Sequence, residues 1–507
     1  MNGRIIALGF FDGVHRGHRA LLRETVRLGE REDCRPAALT FAGNVAGKSN
    51  LLLNSLEDRR MLMQRLCGVE EMLVLTFDEA LMRMEPKDFV EMLVQRFGAV
   101  HLVAGYDFTY GYRGAGNAET LKTQCAELRI GCTILPAVEA GGEAISSRMI
   151  RGLVTGGEME EAVSLLGHPH VLTAPVEHGY RLGHTMGYPT ANQVFPGEVA
   201  VPAKGVYAAR VILPDGRAYF GAANIGTRPT VSDGNAVTLE THILDFSEDL
   251  YGKTIRTELF ARLRPEMRFE SKEALFCRIG QDGENVRAWF AENRSILLKA
   301  EPELVRYAEE TLLPLYDGFD KGHDGAHVRE VTENAMELAA EYDLDPSMVY
   351  CMAVYHDLGM AQGRKTHHLT SAKLLREDEM LKKWFSAKQR EIMAQAVEDH
   401  RASGETPPRS LYGRLLCDAD RCLEPETVVR RTLDFGAANY PGLTEEEQFA
   451  RLKAHLAEKY SEDGYLTLQL GAKKTVSQLA ALRDCIRDEA RLKALFEDWL
   501  KQNGQIG

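Results

Sequence analysis

The chain has 507 residues and a formal net charge of −13, from 61 lysines and arginines against 74 aspartates and glutamates. This acidic balance argues against a nucleic-acid-binding protein, and no apolar run is long enough to cross a bilayer. Nine cysteines without a CxxC pair predict reduced thiols, a cytoplasmic protein and no zinc ribbon. At roughly 150 residues per domain, the length predicts about three domains.

Residues 1–155 alternate strand-like and helix-like segments. Short apolar runs predict the strands, and amphipathic segments such as Leu56–Cys67 and Pro86–Phe97 predict the helices between them. This order is typical of a doubly wound parallel sheet, in which ligands bind at the carboxyl ends of the strands. The predicted strands are Arg4–Gly9, Pro36–Phe41, Met72–Phe77, Val100–Gly105 and Cys132–Leu135.

The stretch Ala7–Leu22, ALGFFDGVHRGHRALL, predicts a strand, a glycine turn and a helix that begins near His15 and His18. A helix N-terminus offers unpaired N–H groups and a positive dipole to a phosphate. Gly17 permits a close backbone approach, and the imidazoles can stabilise charge on a phosphoryl oxygen. The stretch therefore predicts a phosphate-binding loop, and the alternative is a loop with two solvated histidines.

Two further loops fall at predicted strand ends. Gly105–Asn117, GYDFTYGYRGAGN, has four glycines that would let it fold over a ligand. Ile145–Arg151, ISSRMIR, offers Ser146, Ser147 and Arg151 to a triphosphate. Each loop alone is a weak signal, because glycine-rich loops are common.

The three motifs together, in this order, resemble the FMN adenylyltransferase module of bacterial bifunctional riboflavin kinase/FAD synthetases. The resemblance implies a nucleotidyltransferase fold in which the FMN phosphate attacks the α-phosphorus of ATP and pyrophosphate leaves, with Mg²⁺ as cofactor. It implies that His15 and His18 bind the ATP phosphates in catalysis. It also implies a nucleotide-binding or flavin-binding role for Asp12, Gly17, Asp107, Ser147 and Arg151.

Two departures from this family's pattern concern the same domain. The family follows its second strand with an acidic residue and a proline, whereas this chain continues from Phe41 into Ala42–Val45, AGNV. The family's Ser-Ser-Thr is Ser-Ser-Arg here, with Arg148 in the third place. Either change could weaken the binding of ATP or FMN, so a degenerate adenylyltransferase domain is the alternative.

After a helical connector at about 152–166, the pattern from His168 to Arg264 becomes alternating, which predicts a small antiparallel barrel. In the loop Gly183–Asn192, GHTMGYPTAN, the glycines allow a tight turn at phosphates, and Thr190 and Asn192 offer oxygen atoms to Mg²⁺. The alternative is that these two residues only cap a turn. Glu240 lies on a predicted strand as a candidate base.

This region resembles the flavokinase barrel along its whole length. The motifs that carry the resemblance are, in order, GYPTAN, GVYAA, NIGTRPT, ETHILDF and DLYG. The resemblance implies transfer of the γ-phosphoryl group of ATP to the riboflavin 5′-hydroxyl, with positioning and charge neutralisation as the main catalytic effects. It implies Glu240 as the general base, Thr190 and Asn192 at Mg²⁺ and the nucleotide, and Gly183 and Thr185 at the nucleotide. The helix Ser271–Ala291 is predicted to close this domain.

After Glu292 the chain becomes a series of amphipathic helices, among them Ala326–Glu341 and Pro346–Leu358. The second ends in His356-Asp357. An imidazole and a carboxylate at a helix end suit Mn²⁺, Fe²⁺ or Zn²⁺ with open coordination positions. The alternative is that histidines occur in a helical bundle by chance.

The order of these residues resembles that in the HD-domain metal-dependent phosphohydrolases: His327 comes first, His356-Asp357 follows, and an aspartate in an Ala-Asp context comes last. The resemblance implies His327, His356, Asp357 and Asp420 as metal ligands, with Asp418 as the competing choice. Further candidates are His367, His368 and His400 for a second metal or a phosphate, His323 behind His327, and Arg364 and Lys365 for an anionic substrate.

The sequence thus predicts a multidomain α/β, β and α protein, with an adenylyltransferase-like domain at 1–155, a riboflavin kinase barrel at 156–293 and an HD domain at 300–507. The predicted activities are synthesis of FMN from riboflavin, synthesis of FAD from FMN, and hydrolysis of a phosphate ester, such as a nucleotide or flavin nucleotide. ATP, riboflavin and FMN are the predicted partners, with no nucleic acid and no membrane. The alternative is a riboflavin kinase whose HD domain binds a nucleotide as a regulatory sensor. The oligomeric state stays open.

Overall fold

A computed structural model describes residues 3–42, 51–177, 190–227, 237–319, 323–401 and 407–503. The chain forms two compact units, Met1–Leu297 with Glu379–Arg390, and Leu298–Asp378 with Glu391–Gly507. All nine cysteines are free thiols. Within the described ranges, none of the helices has the length and apolar character needed to span a membrane.

The first unit begins with alternating strands and helices. In chain order these are β1 (Arg4–Leu8), α1 (Arg16–Arg31), β2 (Arg35–Ala42), α2 (Leu56–Cys67), β3 (Glu71–Thr76), α3 (Glu79–Met82), α4 (Pro86–Phe97), β4 (Ala99–Gly105), α5 (Ala118–Glu127), β5 (Gly131–Leu135), β6 (Glu139–Ala140), β7 (Glu143–Ala144), α6 (Ser147–Gly156) and α7 (Met159–Leu166).

β1 to β5 form one parallel sheet in the order β3-β2-β1-β4-β5, and each matches its predicted strand to within one residue. The central strand β1 is buried on both faces, as parallel strands covered by helices require. Ile6 and Leu8 pack with residues of α4 and α5, whereas Ala7 packs with residues of α1 and α2. The predicted doubly wound sheet is confirmed. Its strand order reverses between β1 and β4, where such sheets bind their ligands.

The helical connector predicted at 152–166 is two helices, α6 and α7. Gly157 follows α6 with φ +94 and donates its N–H to the carbonyls of Leu153 and Val154. A left-handed glycine of this kind ends a helix, because L side chains rarely adopt that conformation. The sequence signal for helix was therefore right, and the break inside it was missed.

The rest of the first unit contains the predicted antiparallel barrel. Its elements are β8 (His170–Pro175), β9 (Thr190–Val194), β10 (Gly205–Ile212), β11 (Ala218–Thr227), β12 (Val237–Ile243), β13 (Thr254–Pro265), α8 (Lys272–Glu292) and α9 (Ser295–Leu298). The strand order is β8-β13-β10-β11-β12-β9, and an antiparallel bridge between Glu177 and Asn192 joins the two ends of the sheet. α8 packs outside, with Phe290 stacked on Phe220 at 4.1 Å between ring centroids.

The second unit is helical. Within the region from 298 onwards the helices are α10 (Pro302–Tyr307), α11 (Gly325–Ala339), α12 (Pro346–Tyr355), α13 (His367–Glu377), α14 (Ala387–Asp399), α15 (Leu411–Ala419), α16 (Pro425–Asn439), α17 (Glu445–Tyr460), α18 (Lys473–Arg487) and α19 (Glu489–Gln502).

α12 is the central helix of this unit. Its sequence PSMVYCMAVY is apolar all round, and Met348 to Tyr355 are buried except Tyr350. A helix without a polar face is stable only when neighbours cover every side, and α11 and α13 pack against it. It ends at Tyr355, three residues before the predicted end, because a 3₁₀ turn at Leu358–Gln362 follows. The helix end therefore delivers His356 and Asp357 to the interior.

Candidate active sites

The loop between β1 and α1 has a strained backbone. Phe11 and Val14 have φ of +52° and +39°, values rare for residues with side chains, and Gly13 has +82°. At Gly13 a Cβ would lie 2.6 Å from Cδ1 of Leu53, so a side chain there would displace Leu53 and strain the backbone. Such strain persists only where surrounding contacts hold the chain, and it is concentrated at functional sites.

Asp12 joins this loop to the predicted motif Ile145–Arg151. Its backbone carbonyl accepts a hydrogen bond from Oγ of Ser147 at 2.8 Å, and its carboxylate accepts one from Nη2 of Arg151 at 2.7 Å. The other carboxylate oxygen accepts the N–H of Leu53 at 2.6 Å. Two motifs more than 130 residues apart thus meet at one buried aspartate. Arg148, the departure from the family pattern, is exposed, and the departure at 42–45 lies outside the described residues except Ala42.

His15 and His18 lie where α1 begins. His15 is the N-cap and its Nδ1 accepts the N–H of His18, while the two rings stack at 3.7 Å between centroids. Burial lowers the pKa of His15 to about 4 and that of His18 well below its usual value. Both imidazoles are therefore neutral near pH 7 and offer hydrogen bonds rather than charge. Gly17 lies beside them, where a Cβ would be 3.2 Å from the His15 ring.

The predicted loop Gly105–Asn117 follows β4, the neighbour of β1, so its start lies at the same edge of the sheet. Asp107 is exposed there. The sequence reasoning missed three aromatic rings at this edge, those of Phe10, Phe41 and Phe77, which are 4.9 to 6.3 Å apart between centroids. Each lies at or just after the end of a strand, a position that could have identified them.

His168 is a second residue that the sequence reasoning missed. Its Nε2 lies 2.9 Å from the carbonyl oxygen of Gly13 in the strained loop. It precedes β8, so the start of the barrel region contacts the loop after β1. The only sequence signal that could have identified His168 is its place in the tripeptide GHP directly after a helix.

In the barrel, the described kinase candidates share one row across neighbouring strands. Asn192 on β9 is directly opposite Glu240 on β12, which is directly opposite Asn224 on β11. Directly opposed residues of antiparallel strands project from the same face, with Cβ atoms about 5 Å apart. Thr190 lies on that face two residues before Asn192. Asn224 was not singled out from sequence.

The candidates Gly183 and Thr185 lie outside the described residues, so the structure places only part of the predicted nucleotide loop. Thr190 and Asn192 belong to a strand instead of a turn, although Nδ2 of Asn192 also donates to the Thr190 carbonyl at 3.2 Å. The turn-capping alternative therefore describes one contact of Asn192 and not the position of either residue.

In the helical unit, four of the predicted metal ligands converge. Nε2 of His327 lies 3.2 Å from Oδ1 of Asp420 and 3.9 Å from Oδ2 of Asp357. Nε2 of His356 lies 3.4 Å from Oδ2 of Asp357 and 3.6 Å from Oδ1 of Asp420. These side chains come from α11, from the end of α12 and from the end of α15. Helix ends thus bring together residues up to 93 positions apart.

A second group of donors shares Asp357. Its Oδ1 atom lies 3.2 Å from Nε2 of His367 and 3.6 Å from Nε2 of His400. His327, His356 and Asp357 have donor atoms within 4.8 Å of one another, and so do Asp357, His367 and His400. Asp357 therefore belongs to both groups, and each group could hold a divalent cation.

Three of these histidines have their tautomer fixed. Nδ1 of each ring lies close to the backbone carbonyl oxygen of the residue three positions earlier. The distance is 2.7 Å for His356, 2.8 Å for His367 and 2.6 Å for His400. A carbonyl accepts only from N–H, so the neutral ring carries its proton on Nδ1 and presents a lone pair at Nε2. All three Nε2 atoms point to the shared carboxylate, which is the arrangement a metal site requires.

The electrostatics of the cluster also fit a cation. Burial disfavours the charged imidazolium of His356, but Asp357 and Asp420 outweigh it and raise its pKa to about 10. Burial would raise the pKa of Asp420, but the facing histidines hold it far below its usual value. Nε2 of His356 is buried without a hydrogen-bond partner. A buried donor set with such an orphaned atom fits a divalent metal.

Asp418 and Asp420, the two competing candidates, occupy different environments. Asp418 is 1% exposed, and its carboxylate accepts the backbone N–H groups of Gln469 and Leu470 at 2.8 to 3.1 Å. Arg421 also lies 3.3 Å from it. The side chain of Asp418 therefore holds the 469–470 segment, and only Asp420 faces the histidines.

This difference predicts opposite effects of two conservative substitutions. Asp418→Asn is expected to lower the free energy of unfolding by about 2 kcal/mol, because two backbone N–H groups lose a charged acceptor, with metal affinity kept. Asp420→Asn is expected to weaken metal binding and to leave the stability of the metal-free chain near that of the parent. Thermal unfolding in EDTA and Mn²⁺ titration of the full chain measure both. The reverse pattern would exchange the two roles.

Family models match three parts of the chain: FAD synthetase over residues 1–149, riboflavin kinase over 166–290 and HD domain over 325–424. Curated relatives named bifunctional riboflavin kinase/FMN adenylyltransferase are 35% identical over 296 residues in Listeria monocytogenes and 34% identical over 294 residues in Escherichia coli K12. Each alignment covers 57% of this chain and 93% of the relative.

A solved structure described as a macrolide-efflux protein from Streptococcus pneumoniae is also similar. It shares 30% sequence identity and a TM-score of 0.51, over 57% of this chain and 95% of that one. The HD-domain match lies beyond the residues that the other two family models cover.

Proposed function

Because the chain belongs to the family of bifunctional riboflavin kinase/FMN adenylyltransferases, we propose that the sites described above carry that family's two reactions and one hydrolysis. The chain phosphorylates riboflavin with ATP to give FMN, and it transfers an adenylyl group from ATP to FMN to give FAD and pyrophosphate. It also contains an HD domain. The residue roles, the metals and the third substrate are the proposal.

Adenylyl transfer is proposed at the loop after β1. The FMN phosphate oxygen forms a bond to the α-phosphorus of ATP while the bond to the pyrophosphate oxygen breaks. His15, His18 and the N–H groups at the start of α1 hold the phosphates, and Asp12, Ser147 and Arg151 fix the loop. Asp107 and the Phe10, Phe41 and Phe77 rings lie at the same edge of the sheet, where an apolar flavin ring would stack.

Phosphorylation of riboflavin is proposed at the row of polar residues on β9, β12 and β11. Glu240 would accept the proton of the riboflavin 5′-hydroxyl as that oxygen attacks the γ-phosphorus of ATP, the bond from the γ-phosphorus to the β,γ-bridging oxygen breaks and ADP leaves. Thr190 and Asn192 would hold Mg²⁺ and the nucleotide, with Gly183 and Thr185 as further nucleotide contacts. Asn224, on the other side of Glu240 in the row, would orient the carboxylate.

The HD domain is proposed to hydrolyse a phosphate ester with one or two divalent metals such as Mn²⁺, Fe²⁺ or Zn²⁺. The observation that carries this is the convergence of four histidines on one carboxylate, Asp357, with Asp420 beside two of them. A metal in such a site supplies Lewis-acid chemistry, polarising a phosphoryl group and lowering the pKa of water. The chain's own part is to hold four imidazoles and two carboxylates in place. Their tautomers and burial suit that task. The free thiols agree with a cytoplasmic location.

A panel of phosphate esters tests this hydrolysis. The full chain with Mn²⁺ is incubated with p-nitrophenyl phosphate, bis(p-nitrophenyl) phosphate, ATP, FMN, FAD and a cyclic nucleotide, and the products are separated by HPLC. We expect turnover of one class and its loss in His356→Ala. Cleavage confined to compounds other than FMN, FAD and ATP would remove the link to flavin synthesis. Metal-dependent nucleotide binding without any turnover would favour the regulatory sensor.

A further inference from the structure

Arg59 on α2 is among the largest fully buried side chains of the molecule, with 2% of its surface exposed. Its Nη1 donates to the carbonyl oxygen of Phe10 and to Oγ1 of Thr40, both at 2.9 Å. Oγ1 of Thr40 in turn donates to the same Phe10 carbonyl at 2.8 Å. The guanidinium therefore lies at the carboxyl ends of β1 and β2, where the strained loop begins.

The charge of Arg59 has no contact partner of opposite sign. Throughout the described part of the chain, no carboxylate lies within ion-pair distance of it, and its Nε is buried without a hydrogen-bond partner. Burial accordingly lowers the pKa of Arg59, with Asp12 and Glu198 opposing that shift from beyond contact distance. Buried charges are normally paired, because desolvation is costly. An unpaired one beside a ligand site marks a place for an anion.

Three neighbouring groups do not supply that positive charge. The imidazoles of His15 and His18 are neutral near pH 7, and Arg151 is already bonded to Asp12. The charge of Arg59 reaches this site: the pKa of His18 is lowered by burial first and then by the charges of His15 and Arg59. ATP brings a polyanion to this loop.

We propose that Arg59 is a positioning residue for adenylyl transfer, a buried cation that holds the Phe10 end of the loop and gives it the positive potential that the triphosphate needs. The inference rests on the proposed assignment of adenylyl transfer to this loop. As the bond to pyrophosphate breaks, negative charge accumulates on the leaving group, and a fixed cation beneath the loop stabilises it. Arg59 gains and loses no proton in this step, and it acts through the Phe10 carbonyl and through its field.

Three substitutions in the full chain separate charge from packing. Arg59→Gln removes the charge and keeps an N–H donor, Arg59→Lys keeps the charge, and Thr40→Val removes one hydrogen-bond partner. We expect Arg59→Gln to raise KM for ATP and to lower kcat/KM for ATP in FAD synthesis at least about tenfold, with KM for FMN little changed. Arg59→Lys is expected to recover most of that loss, and Thr40→Val to cost only a few-fold. Riboflavin phosphorylation by the same samples should be unchanged.

His15→Asn distinguishes failure of this inference from failure of the site assignment. If His15→Asn lowers FAD synthesis while Arg59→Gln does not, the loop is the site and Arg59 is only part of the scaffold. Equal losses in Arg59→Gln and Arg59→Lys would also overturn the role of charge. If neither His15→Asn nor Arg59→Gln changes FAD synthesis, the assignment of the loop itself is wrong.

Discussion

Asp357→Asn is expected to abolish hydrolysis by the HD domain, with a loss of at least about 10³-fold in kcat/KM, because metal polarisation is worth several kcal/mol of transition-state stabilisation. The two oxygens of Asp357 face different histidines, His356 at 3.4 Å and His367 at 3.2 Å. A single substitution therefore disturbs both donor groups. Hydrolysis of the ester identified in the panel, together with the metal content of the purified chain, measures the effect.

His400→Ala is the matched control for this prediction, since His400 belongs to only one of the two donor groups. We expect it to lower the metal content less than Asp357→Asn and to retain part of the hydrolysis. Synthesis of FMN by each variant checks that the first unit is intact. Unchanged metal content and hydrolysis in Asp357→Asn would remove the bridging carboxylate from the mechanism.

His15→Asn is expected to lower FAD synthesis by about 10²- to 10³-fold, the usual cost of losing one donor to a developing negative charge. Asparagine keeps an N-cap oxygen and a similar volume near His18, so α1 should still begin at residue 16. FMN formed from riboflavin should then accumulate, because the kinase residues lie in the barrel. HPLC of the flavins over time shows both effects in one reaction.

FAD synthesis by His15→Asn at the rate of the parent chain would contradict this prediction. Because the kinase is measured in the same sample, a folding defect would appear as a fall in FMN as well. A loss of both products would therefore show a damaged first unit instead of a catalytic role for His15.

Local signals explain why many elements could be predicted from sequence. Leu56–Cys67 and Pro86–Phe97 have the predicted bounds because Ser55 caps the first, Pro86 begins the second, and left-handed glycines follow both. The five strands of the sheet were visible as apolar runs because both faces are covered. The break at Gly157 was missed, because one glycine inside an apolar helical pattern does not reveal its φ angle.

The sites depended on longer-range contacts. The motif order pointed to Asp12 and Arg151, but nothing local indicated that a buried ion pair joins them. Asp418 and Asp420 are two residues apart at a helix end, and the choice between them is made by the backbone at 469–470, about 50 residues later. Arg59 resembled any charged residue of an amphipathic helix, and only the packing of α2 on the sheet shows that it is buried.

The bridge between Glu177 and Asn192 has a consequence for how the barrel loses its structure. Among the described residues, the ring is joined there by this one backbone bridge and by Nε2 of Gln193, which donates to the Ala174 carbonyl, whereas β10 pairs with β13 and β11 along its whole length. Local opening begins where the fewest hydrogen bonds must break. Because Asn192 also belongs to the kinase row, opening this seam separates Asn192 from its neighbours across the ring. Warming or denaturant would thus erode phosphoryl transfer to riboflavin ahead of adenylyl transfer, whose parallel sheet pairs each strand with its neighbour over at least four residues.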